Sequence, residues 1–168
     1  MIHTIVGMRG RGKTSLAAEI MASQKRDQIF VYDYMAEFRE FQIDGYLEVT
    51  LNSVPFEQFS NDVWERSRIG ISTLVVLDEI GAYGKIGSQD HPCIKHFYTL
   101  GRHKDIDLIG ISQRFYTLPP TCRSQTDIFH VFQITELRDR QYLKGLVSAQ
   151  VLETIIRLRQ FEYINLNL

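Results

Sequence analysis

Cysteine is scarce in this chain. Cys93 and Cys122 are the two in 168 residues, too few for a disulfide framework. Proline is scarce too, at four, and no stretch is rich in proline, glycine and serine together. Nothing therefore marks a linker, there are no internal repeats, and the length suits one domain with its own core. No apolar run approaches the roughly 18 residues that a bilayer crossing needs. The start, Met1-Ile2-His3-Thr4-Ile5-Val6, lacks the basic region and cleavage site of a signal peptide. It reads as a first strand, and the expectation is a single intracellular domain over 1–168.

Charge of one sign is also lacking. The formal net charge is −1, so the field of the whole chain does not favour nucleic acid. The balance is uneven, however. Residues 1–84 carry eight Lys/Arg against twelve Asp/Glu, and 85–168 carry eleven against eight, which makes −4 and then +3. A polyanion would be expected on the second half. His91, Cys93, His96 and His103 lie close in sequence, but their spacing fits neither C-x-x-C nor H-x3-H zinc elements. A helix starting after Pro92 explains that stretch better.

What the chain does have is alternation of short apolar runs and longer amphipathic segments. Ile2–Val6, Ile29–Asp33, Thr73–Asp78, Leu108–Ser112 and Ile128–Ile134 read as strands. Lys13–Gln24, Phe56–Arg68 and Ile94–His103 have helical spacing between them. Glu136–Gly145 and Ala149–Arg157 look helical, and Phe161–Leu168 looks like a last strand. This order predicts an α/β fold with a mostly parallel sheet covered on both faces.

Gly7-Met8-Arg9-Gly10-Arg11-Gly12-Lys13-Thr14 matches G-x-x-x-x-G-K-[ST] at every fixed position. Glycines let the backbone turn tightly and present its N–H groups to phosphate oxygens. A helix opening near Lys13 adds its N-terminal donors and dipole. Lys13 is expected on the outer phosphates and the Thr14 hydroxyl on Mg²⁺. The motif follows an apolar strand and opens a helix, as a phosphate loop must. A Rossmann loop is excluded, because Ser15 stands where its third glycine would be. The expected phosphate-binding residues are Gly7, Arg9, Gly10, Arg11, Gly12, Lys13, Thr14 and Ser15.

Hydrolysis needs a carboxylate on the metal side and a group that orients the attacking water. Thr73-Leu74-Val75-Val76-Leu77-Asp78-Glu79 ends an apolar strand on two acids. Asp78 is expected to hold Mg²⁺ and Glu79 to polarise the water. Gln113 follows the strand Leu108–Ser112, and such strand ends face the ligand crevice of open α/β sheets. It can reach a γ-phosphate or the attacking water, or be an ordinary turn residue.

Taken in order, these pieces resemble the FtsK–HerA superfamily of P-loop ATPases, and within it the genome-packaging ATPases of membrane-containing icosahedral viruses. Asp33 with Glu37-Phe38 is similar to that superfamily's second strand and its D-x-x-x-E-[YF] ending. Leu77-Asp78-Glu79 resembles its Walker B segment. Arg102-His103, the strand to Ser112 and Gln113-Arg114 resemble its arginine, strand and glutamine sensor. Arg123, Asp127 and Asp139 fit its closing strand and the acid beyond.

The resemblance implies a three-layer, RecA/ASCE-like P-loop domain. It implies an ATPase with ATP and Mg²⁺ as cofactors, working as a ring, hexameric in the family, that drives viral double-stranded DNA into a preformed capsid. Self-assembly, DNA and capsid or membrane-vertex proteins would be its partners. Its place would be the host cytoplasm or the packaging vertex of the virion. Arg102 would act in trans on a neighbour's γ-phosphate, with Arg114 and Arg123 as alternates. Arg102-His103-Lys104 at a helix C-terminus is also favourable to the dipole without any such task.

Gly81–Asp90 is glycine-rich. Its Tyr83 and Lys85 could stack on bases or contact phosphates, or belong to a plain surface loop. No accessory domain for DNA orientation or anchoring is visible. Other readings stand beside packaging. One is a phage assembly ATPase like the zonula occludens toxin-like proteins, which usually carry a transmembrane segment. Another is a small-molecule P-loop kinase, which needs an acceptor pocket and an arginine-rich lid. A nucleotide switch without turnover would leave Glu79 without a task.

Overall fold

In the computed structural model, which describes residues 1–38, 46–86 and 89–168, the near-continuous apolar runs become the middle of one sheet. β1 (Ile2–Val6) is flanked by β7 (Ile106–Ser112) and β8 (Ile128–Phe132), both parallel to it. Beyond β7 lie β4 (Thr73–Leu77), β2 (Gln28–Asp33) and the edge strand β3 (Tyr46–Leu51), also parallel. β9 (Tyr163–Leu166) closes the other edge antiparallel to β8. The order is β3-β2-β4-β7-β1-β8-β9.

Alternation along each strand divides the core between the two faces. Leu74 and Val76 of β4 face a smaller cluster with Ile5, Val31, Ile109 and Ile111, covered by Leu16, Ala17 and Met21 of α1 (Lys13–Ser23). Val75 and Leu77 face the larger cluster. Onto it pack α2 (Phe56–Arg66), α4 (Pro92–Leu100), α5 (Pro120–Gln125), α6 (Leu137–Lys144) and α7 (Ala149–Arg157). This is the expected mostly parallel sheet between two helical layers, weighted towards one face among the described residues.

Local chemistry sets the element ends. His91 caps α4 by accepting the Cys93 N–H at 3.2 Å, and Pro92 occupies the first helical turn, where its missing N–H costs nothing. His91 also meets Glu57 at 2.9 Å. α4 ends sooner than its spacing suggests, because Gly101–Lys104 tightens into a 3₁₀ turn before β7. Ser148 caps α7 by accepting the Val151 N–H.

Two expectations need correction. β3 is absent from the sequence reading, because an edge strand is half-exposed and lacks a continuous apolar run. Its Leu47 and Val49 pack on the smaller core while Glu48 and Thr50 are half-buried. The glycine-rich stretch after β4 is not a plain loop. It forms the short α3 (Ile80–Tyr83) and a hairpin of β5 (Lys85–Ile86) and β6 (Gln89–Asp90), while Gly87 and Ser88 lie outside the described residues. Tyr83 packs against Phe56 (4.6 Å between ring centres) and Tyr32 (5.0 Å), so its ring is not free to stack on a base.

Candidate functional site

All six strands parallel to one another direct their C-terminal ends to the same edge of the sheet, and the sequence motifs converge there. β1 delivers the phosphate loop. Gly7 N–H is held by Ser112 O and Met8 N–H by Gln133 O, each at 3.2 Å, which fixes the loop to the two strands beside β1. Gly7 has to be glycine: a Cβ there would lie 2.5 Å from the Phe132 Cβ. Gly12 turns into α1 with a left-handed φ of 105°, and no side chain caps the helix. The first-turn N–H groups, which have no partners inside the helix, are left for an anion.

The loop borders a cavity of about 340 Å³. Arg9, Gly10, Gly12, Lys13, Thr14 and Ser15 line it on one side, and Glu37, Asp78, Glu79 and Gln113 face them. Seven of the eight expected phosphate-loop positions are thus either on the wall or, as Gly7, at its root. Arg11 does neither; its carbonyl accepts the Phe161 N–H at 3.0 Å. Lys13 is buried, and its Nζ donates to Met8 O at 3.0 Å. Burial lowers its pKa, an effect that the carboxylates of Glu79, Glu37 and Asp78 oppose.

The acids lie close together. Asp78 is 3% exposed and accepts the Met35 N–H at 3.0 Å. Burial, with Asp33, Glu79 and Glu37 nearby, pushes its carboxyl up to about 7, against the lowering effect of that hydrogen bond. Glu79 adopts a left-handed backbone (φ 49°, ψ 50°) between β4 and α3, a conformation that costs on the order of 1–3 kcal/mol outside glycine. It turns the side chain towards β7, where Oε1 accepts the Gln113 N–H at 3.4 Å. Asp33 braces the next strand end by accepting the N–H groups of Glu37 and Phe38. Glu37 in turn accepts the Thr14 hydroxyl at 2.6 Å.

Glu37, Gln160 and Phe161 are cavity residues that sequence reasoning did not place at the site. Glu37 carried a signal, four residues after a strand-ending Asp33; Gln160 and Phe161 carried none. Arg102 is not brought to the cavity. It is exposed in the 3₁₀ turn at the start of β7, at the opposite edge of the parallel sheet, beside Arg26, Asp105 and Asp107. Arg114 is nearer, in a hollow with Met8, Arg9 and Gln113, and pairs with Glu136 at 3.0 Å. Arg123 lies over the Tyr142 ring at 4.7 Å. Asp139, 1% exposed, accepts the Tyr116 N–H at 2.8 Å and so anchors the turn after Gln113.

No protein-family model matches the chain. A curated relative is the DNA packaging ATPase P9 of Enterobacteria phage PRD1, 26% identical over 159 residues, which span 88% of this chain and 70% of that protein. That relative is a viral DNA-packaging ATPase. The fold agrees. The DNA-packaging ATPase B204 of Sulfolobus turreted icosahedral virus superposes with a TM-score of 0.80 at 21% identity, over 99% of this chain and 91% of that one. The N-terminal domain of zonular occludens toxin from Neisseria meningitidis matches less well, with a TM-score of 0.51 at 18% identity over 82% of this chain and 78% of its own. No helix among the described residues is long and apolar enough to cross a membrane.

Proposed function

We propose that the chain is an ATP-hydrolysing motor that moves viral double-stranded DNA into a preformed capsid, the whole of 1–168 serving as one P-loop ATPase domain. The observation that carries the hydrolytic part is the meeting of Glu79 and Gln113 opposite the phosphate loop, in one cavity with Lys13, Thr14 and Asp78. The packaging part rests on the relatives, P9 above all. The assembly-ATPase reading has the weaker structural counterpart, and no observation favours a kinase.

In this reading the loop N–H groups and the α1 N-terminus hold the phosphates, and Lys13 leaves Met8 O for their outer oxygens. A divalent cation fits the donor set: Asp78 is a buried carboxyl whose pKa is raised beside three further carboxylates, an arrangement that a hard cation relieves. Thr14 and Asp78 would hold Mg²⁺, which when bound neutralises charge on the phosphate oxygens. Glu79 orients and deprotonates the attacking water, and Gln113 contacts the γ-phosphate or that water. Ring assembly, hexameric in this reading, brings a neighbour's arginine to the γ-phosphate. Arg102 suits that role only in trans, since its own cavity is at the other end of the sheet.

ATP turnover with and without double-stranded DNA tests this, comparing wild type with Glu79→Gln. Wild-type turnover rises with DNA, and Glu79→Gln still binds ATP but turns over at least about 10²-fold more slowly, a general-base-sized loss. Equal turnover by the two proteins would remove Glu79 from the mechanism, and turnover that needs a phosphoryl acceptor would replace the motor with a kinase.

A further inference from the structure

A nucleotide has two ends, and the sheet order separates the parts of the cavity that would serve them. β4 and β7, whose C-terminal ends lead directly into Asp78-Glu79 and Gln113, lie on one side of β1, whereas β8 and β9 lie on the other. The acids therefore mark the end at which a terminal phosphate reacts. The opposite flank of the loop is built by the turn that precedes β9.

That turn presents an aromatic ring in an unusual way. Phe161 is 63% exposed at the lip of a polar cavity, and its backbone is left-handed, with φ 66°. For a bulky residue this conformation is a genuine outlier. It is held from several sides. Phe161 N–H donates to Arg11 O at 3.0 Å, Gln160 Nε2 donates to Gly10 O at 3.1 Å, and Glu162 Oε2 accepts the Arg159 N–H at 2.7 Å. The ring edge lies so close to Gly12 that a Cβ there would come within 2.5 Å of Phe161 Cδ1. The ring is thus fixed to the phosphate loop by its edge, while most of its surface faces solvent. A ring whose purpose was core packing would be buried.

We infer that Phe161 is the nucleobase platform of this site, a flat aromatic face on which the base of a bound nucleoside triphosphate stacks. The inference rests on the nucleotide-binding reading above and extends it to a residue that the phosphate-loop pattern does not contain. Stacking is tolerant of base identity, because every base has a π face. Gln160 in the same turn spends one of its amide N–H groups on Gly10 O, which ties it to the loop and leaves the ring face as the larger contact for a base. The platform therefore favours nucleotides over bare polyphosphate without choosing strongly between ATP and GTP.

Calorimetric titration of the whole chain with ATP, GTP and inorganic tripolyphosphate tests this, using wild type, Phe161→Ala, Phe161→Leu and Phe161→Trp. Leucine keeps an apolar cover beside Gly12 but has no stacking face, so it separates stacking from shielding of the loop. ATP and GTP binding weaken roughly 5- to 150-fold in the Ala and Leu variants, the size of one base–aromatic stack. Trp retains nucleotide affinity, and tripolyphosphate binds all four proteins within about 2-fold. Equal losses for ATP and tripolyphosphate would show that the ring only shapes the loop, and unchanged ATP binding in Ala and Leu would remove it from the site; either overturns the platform alone. A wild type that binds neither ATP nor tripolyphosphate would overturn the nucleotide site and the platform together.

Discussion

The Thr14 hydroxyl donates its hydrogen to Glu37 Oε2 at 2.6 Å, and this single bond settles where the hydroxyl lone pairs can point. A hydroxyl has one hydrogen and two lone pairs; with the hydrogen on Glu37, the lone pairs are left for a cation in the cavity. Asp33 sets Glu37 in place by accepting its backbone N–H at 2.9 Å. Two acids at the end of β2 therefore cooperate in orienting one hydroxyl of the phosphate loop.

Glu37→Ala should consequently raise the Mg²⁺ concentration needed for half-maximal ATP turnover by about 10- to 100-fold, the usual loss when the partner of a metal ligand is removed. Turnover at saturating Mg²⁺ should recover most of its wild-type value. A Mg²⁺ titration of turnover checks this, and an unchanged titration midpoint would detach Glu37 from the hydroxyl's task.

Asp78 gives the pH dependence. Its carboxyl rises from an ordinary 3.8 to about 7 through burial, so between those values the folded protein holds a proton that the unfolded chain has lost. Stability then falls as pH rises through this window. Asp78→Asn, which cannot ionise but can still accept the Met35 N–H, should be more stable than wild type at pH 8 by on the order of 2–4 kcal/mol. At pH 4 it should gain little. Thermal melting in nucleotide-free buffer with a chelator measures both, and the same difference at pH 4 and pH 8 would contradict the burial argument.

Arg102 tests the ring. It is exposed and distant from its own cavity, so Arg102→Ala should bind ATP as wild type does. Mixed with wild type in increasing proportion, it should depress turnover more than in proportion to its share. Arg114→Ala, which loses the pair with Glu136, provides the comparison at the near rim. A strictly linear mixing curve for Arg102→Ala together with a steep one for Arg114→Ala would transfer the trans role to Arg114.

How much of this was legible in the sequence depends on whether a residue's role follows from its own pattern. The phosphate loop was, because Gly7 to Thr14 has fixed spacing and its strand and helix are local. Asp78, Glu79 and Gln113 were, because parallel strands align their C-terminal ends, so a polar residue after an apolar run lands at the shared edge. The left-handed turn at Glu79 was not, since nothing in Asp-Glu-Ile predicts a positive φ. Nor was the bond from Thr14 to Glu37, which requires β2 to end level with the α1 N-terminus. β3 escaped because an exposed edge does not need an apolar run. Phe161 escaped because its partner lies 149 positions earlier and the contact depends on β9 turning back beside β8.

If ATP hydrolysis at this site moves DNA, the protein should strip a strand that lies in its path along the duplex. A labelled third strand is annealed to double-stranded DNA, and its release is followed with the purified protein and ATP. Wild type with ATP should release the third strand, and Glu79→Gln, which still binds ATP, should not. Steady ATP turnover by wild type with the third strand left in place would separate hydrolysis from DNA movement and overturn the motor reading.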